Sequence, residues 1–79
     1  ILAGDLNAQP GSIPMSTLLA SFEAAAPDMP TFPSDEPTRK IDWVLFRPAD
    51  RWQVISAEVL DEPVASDHCP LLVELELSY

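Results

Sequence analysis

Apolar and polar positions divide the chain into short blocks. Ile1-Leu2-Ala3 is an apolar run that Gly4 interrupts, and it predicts the end of a buried strand. Gly4 leaves room for something to approach the backbone. Asp5 and Asn7 then project to the same side if the strand continues, with Leu6 on the other. The same two residues are also ordinary turn formers, so an Asx-turn is the competing expectation.

Gln9-Pro10-Gly11 marks a loop, and Ser12 can cap a following helix with Pro14 in its first turn. Met15, Leu18, Leu19 and Phe22 fall on one helical face, which predicts core packing. Pro27 disfavours helical geometry before it, so the helix is expected to end near Ala26. The segment from 27 to 38, with Pro27, Pro30, Pro33 and Pro37, is expected to be a loop. Such a long loop is as readily a connector as a functional element.

Lys40 to Phe46 reads as a strand, and Asp42 is its odd member. A carboxylate within an apolar strand needs a partner or takes up a proton. After a turn at Pro48 to Arg51, Trp52 to Leu60 predicts a strand with Ile55, Ala57 and Val59 on one face. In the last block Leu71, Val73, Leu75 and Leu77 alternate with Glu74 and Glu76, giving an apolar face and a wet one.

Composition narrows the class. The 79 residues allow one small domain at most, and 47% apolar residues exclude a disordered composition. The strand at the first residues and the single clear helix predict a piece of a longer protein whose N-terminal part is absent. A formal charge of −9 argues against a broad grip on a nucleic-acid backbone. It suits cation binding only where acids converge. The single cysteine, Cys69, excludes an internal disulfide and is expected to be a buried thiol. No apolar run approaches the roughly 20 residues of a membrane span. The compartment, cytoplasmic or secreted, is left open.

Candidate chemistry centres on Ser66-Asp67-His68-Cys69-Pro70, which holds the only histidine of the chain. Its unperturbed pKa lies near neutrality, although Ser-Asp before an apolar run is also plain turn chemistry. If the strands neighbour one another, Asp5 and Asn7, Asp42, and Asp67 with His68 meet at one edge. Asp42 could then accept a hydrogen bond from His68 and raise its pKa. That is the acid–imidazole arrangement of a hydrolytic triad, but no serine or cysteine stands out as nucleophile. Water activated by a carboxylate and a metal fits better. A Ser66-dependent hydrolase is the weaker alternative.

Gly4-Asp5-Leu6-Asn7, Lys40-Ile41-Asp42-Trp43 and Ser66-Asp67-His68-Cys69-Pro70 together resemble the three C-terminal motifs of the endonuclease/exonuclease/phosphatase superfamily, of the deoxyribonuclease I-like type. Their order and spacing span nearly the whole chain. The resemblance implies an α/β (α+β) fold, with residues 1–79 forming the C-terminal half of a four-layer sandwich of mostly antiparallel strands and one main helix. It implies a magnesium-dependent phosphoesterase, with manganese as the substitute ion. Asp5 would orient or deprotonate the attacking water, and Asn7 would bind the phosphate and help position that water. Asp67 would ligate the metal or lie near it. His68, kept protonated by Asp42, would donate to a phosphate oxygen.

Trp43 stands where the family often has Tyr, which implies a packing change. The family's metal-binding glutamate motif has no counterpart here, and Glu23, expected on the helix, and Glu74 are poor substitutes. The chain alone is therefore expected to be inactive. A degenerate domain acting only in binding is the alternative. The implied substrate is a phosphate ester, whether nucleic acid, lipid head group or small molecule.

Overall fold

In the computed structural model, which describes residues 1–78, one helix and five strands form two antiparallel sheets. The strands are β1 (Leu2–Asp5), β2 (Glu23–Ala24), β3 (Asp42–Phe46), β4 (Trp52–Val59) and β5 (Leu71–Leu77), and the helix is α1 (Ile13–Leu19). This mixed α+β arrangement is consistent with a fragment of an α/β sandwich.

The first sheet has the order β1-β3-β2. β3 is central because it is the most apolar of the three, and Trp43, Leu45 and Phe46 are buried along it. β1 lies against it with Leu2 opposite Leu45, Gly4 opposite Trp43, and Asp5 opposite Asp42. Gly4 does not stop the strand; pairing with β3 carries it through to Asp5. Gly4 adopts φ 141, which only glycine reaches without strain.

Helix α1 starts as its sequence dictates. Ser12 is extended, its Oγ accepts the Met15 N–H at 3.4 Å, and proline occupies the first turn. The end differs from the expectation. The helix stops at Leu19, and Glu23 and Ala24 pair with Phe46 and Leu45. Ala25 N–H then donates to Val44 O at 2.9 Å. Alanine favours helix, but the free edge of β3 offers hydrogen bonds that a continued helix would leave unmade. The core stripe is consequently Met15, Leu18 and Phe22 against Trp43 and Leu45, while Leu19 is 40% exposed.

The second sheet is the hairpin-like pair β4-β5. Trp52, Val54, Ala57 and Val59 face Leu77, Leu75, Val73 and Leu71 in register. Ile55 does not share the face of Ala57 and Val59. A register shift between Val54 and Ser56 makes it the extra residue of a bulge, and it is 47% exposed. Glu74 and Glu76 are exposed, as the alternation predicts. No helix among the described residues is long and apolar enough to cross a membrane.

The loop between β2 and β3 is pinned. Phe32 and Arg39 form an isolated bridge, and Thr31 and Ser34 are buried. Ser34 N–H donates to Asp67 O at 2.8 Å, and Ser34 Oγ donates to Ser66 O at 2.6 Å and Pro63 O at 3.2 Å. Cys69 N–H donates to Thr31 O at 2.7 Å. The turn bearing His68 is thus held against this loop, and Cys69 is buried behind it.

Candidate active site

Strand register does the first part of the assembly. β1 ends where its antiparallel partner β3 begins, so Asp5 and Asp42 stand opposite one another at one edge of the sheet. Like charges directly opposite are unfavourable, and the pair needs a cation or donor between them. His68 meets that need. Its Nδ1 lies 2.7 Å from Asp42 Oδ2, and its Nε2 lies 3.7 Å from Asp5 Oδ2 and 4.0 Å from Asp67 Oδ1.

The hydrogen bond with Asp42 raises the His68 pKa above its ordinary 6.5, burial opposes this, and the charges of Asp42, Asp5 and Asp67 reinforce it. The imidazole is accordingly held toward its doubly protonated form, with Nδ1–H committed to Asp42 and Nε2–H facing Asp5 and Asp67.

Asn7 sits differently from the alternation argument. It lies beyond the end of β1 at φ 50, and its backbone N–H donates to Asp5 Oδ1 at 2.8 Å. This is the Asx-turn, which fixes the Asp5 carboxylate and leaves Asn7 exposed beside it. Asp67 is the most open member, with a side chain 80% exposed and touched by Ser66 Oγ at 3.4 Å. Four of the five expected residues therefore surround one imidazole or carry it. Asn7 joins them through its backbone bond to Asp5.

Five contacts have no signature in the sequence. Thr31 Oγ1 donates to Asp42 Oδ2 at 2.6 Å. The Phe32 ring lies against the imidazole, with centroids 4.9 Å apart, and Arg39 covers Phe32 at 4.8 Å. Lys40 is buried, with Nζ 4.3 Å from the Trp43 ring centroid and donating to Asp42 O at 3.3 Å. Burial lowers the Lys40 pKa, and the charges of Asp28 and Asp42 oppose that shift. A loop threonine carries no periodicity. The one available clue was that a strand carboxylate demands partners. Trp43 fills the core and donates from Nε1 to Ala8 O at 2.9 Å, closing the loop after β1 onto the sheet.

Asp5, Asp42 and His68 place potential ligand atoms within 4.8 Å of one another. As a metal cage this set is poor, because the imidazole nitrogen and the Asp42 oxygen are already bonded to each other and Thr31 occupies the same oxygen. Hard cations prefer oxygen donors and keep several waters. The carboxylates with free oxygen capacity are those of Asp5 and Asp67, which are 48% and 80% exposed on the Nε2 side of the ring. Each offers oxygen donors of the kind a magnesium-type ion takes alongside water.

A model of the Endonuclease/Exonuclease/phosphatase family matches residues 1–68. No curated protein and no solved structure matches the chain. The matched span takes in β1, the loop, β3 and the turn through His68, so it contains every residue of the acid–imidazole cluster. The chain belongs to the endonuclease/exonuclease/phosphatase family.

Proposed function

We propose that this chain is the C-terminal part of a divalent-metal-dependent phosphoester hydrolase that uses water as nucleophile and magnesium, or manganese in its place, as the ion. The observation that carries this reading is the imidazole whose Nδ1 is tied to Asp42 while Nε2 points between Asp5 and Asp67. An Nε2–H so placed can donate to a phosphate oxygen as negative charge builds on it. Asp5, steadied by the Asn7 N–H, can orient a water and take its proton. Asn7, next to that carboxylate, would bind the phosphate and help position the water. Asp67 would hold the ion; bound there, the ion would offset phosphate charge and favour ionisation of water.

The test uses the full protein carrying this segment. Hydrolysis of a generic phosphodiester should require magnesium, and Asp5→Ala or His68→Ala should each lower turnover at least about 100-fold. Near-parent activity in both variants refutes these roles. The chain's net charge of −9 favours a small phosphate ester or lipid head group over a polynucleotide. The second reading, an interaction module without catalysis, draws on the lack of a matching glutamate motif. It predicts no magnesium-dependent turnover even in the full protein.

A further inference from the structure

Thr31 touches both halves of the acid–imidazole pair. Its hydroxyl donates to the same Asp42 oxygen that holds His68 Nδ1, at 2.6 Å beside 2.7 Å. Its carbonyl accepts the N–H of Cys69, the residue after His68, at 2.7 Å, and its own N–H donates to Arg39 O at 2.8 Å. Thr31 is fully buried. Its hydroxyl proton goes to Asp42 because an ionised carboxylate accepts only, while the Ile41 N–H approaches the hydroxyl oxygen at 3.5 Å.

A carboxylate turns easily about its last torsion, so one contact to an imidazole does not define its plane. A second donor does, when it comes from a stiff β-branched residue anchored through its backbone. We propose that Thr31 is a positioning residue of this site, fixing the Asp42 oxygen and the backbone that carries His68 in one frame. This rests on the hydrolase reading for its kinetic consequence, but the placement itself does not.

The test compares Thr31→Val with Thr31→Ser in the full protein. Valine keeps the shape and the backbone bonds and removes the hydroxyl; serine keeps the hydroxyl. Loss of a hydrogen bond to a charged group is worth about 10–100-fold, so Thr31→Val should lower kcat by about that factor with KM unchanged. Thr31→Ser should stay near the parent. If Thr31 acts through Asp42, Thr31→Val costs no further turnover in an Asp42→Ala background. A readout independent of turnover is the His68 imidazole 1H–13C resonance, assigned by its loss in His68→Gln. It should shift or broaden in Thr31→Val and hold in Thr31→Ser.

Absence of phosphodiester turnover in the parent would remove the hydrolase reading, and the resonance would still decide the placement. Three results overturn the proposal: parent-like kcat and resonance in Thr31→Val, failure of serine to preserve them, or an equal loss when Asp42 is already alanine.

Discussion

Asp5 and Asp42 stand opposite one another across the antiparallel pair of β1 and β3, and the His68 ring bridges them, 3.7 Å from one and 2.7 Å from the other. Two acids in register on a strand pair would repel, so the ring is a structural counter-ion as well as a candidate donor. This makes the folded state pH-sensitive in a definite direction. The His68 pKa is raised in the fold above the ordinary 6.5, chiefly by the Asp42 hydrogen bond. The folded state therefore binds the proton more tightly, and stability rises as pH falls into that window. The contribution is fully present below 6.5 and is lost as pH climbs through the folded-state value above it. Denaturant midpoints between pH 5.5 and 8.5, a range set around the ordinary histidine value, should show this decline. Asp42→Asn should flatten it. An equal slope in both proteins would contradict the assigned cause.

Separating the roles of Asp67 and Asp42 requires a metal titration rather than a single rate. Asp67 is open and free to ligate, whereas the Asp42 oxygen is already taken by His68 and Thr31. Asp67→Asn should raise the magnesium concentration for half-maximal turnover by about 10-fold or more. Asp42→Asn should lower kcat and leave that concentration unchanged. The reverse pattern would move the ion site to Asp42.

Gly4→Ala tests the backbone at the site's edge. A methyl added there meets nothing within 4 Å, yet φ is +141, where side chains are strained. Destabilisation of about 1–3 kcal/mol follows from the backbone alone. Because Asp5 is the next residue, turnover should fall along with the denaturation midpoint. A neutral effect on both would mean that β1 adjusts freely.

Ser34→Ala tests the clamp on the turn. The variant leaves the Ser66 and Pro63 carbonyls, on exposed residues, to water in place of their shared donor, a loss of about 0.5–1.5 kcal/mol. Faster amide exchange at Cys69 should accompany it, since that N–H is bonded to the same loop. Unchanged exchange at Cys69 would show that Thr31 holds the turn without Ser34.

What the chain disclosed in advance follows from its local signals. Ser12 and Pro14 announce a helix start, alternation in Leu71 to Leu77 announces a strand, and an acid in an apolar strand announces a partner. The signals fail where distant pairing overrides them. Three alanines in a row look helical until the edge of β3 claims Ala24 and Ala25. Ile55 looks inward until the bulge removes it from the count. Asn7 looks like a strand residue until its positive φ takes it out of the strand. Thr31, Phe32 and Ser34 lie in a proline-rich loop with no period to read, so their contacts with Asp42 and His68 appear only once the chain has folded.

The loop and the turn meet through a handful of polar bonds and the Phe32–His68 ring contact, whereas β1, β3 and α1 share the buried apolar cluster. Segments held that way open at lower free energy than the core they rest on. Mild denaturant should therefore silence the chemistry while the sheet still gives its native circular-dichroism signal, so that activity reports on a small cooperative unit rather than on the whole molecule.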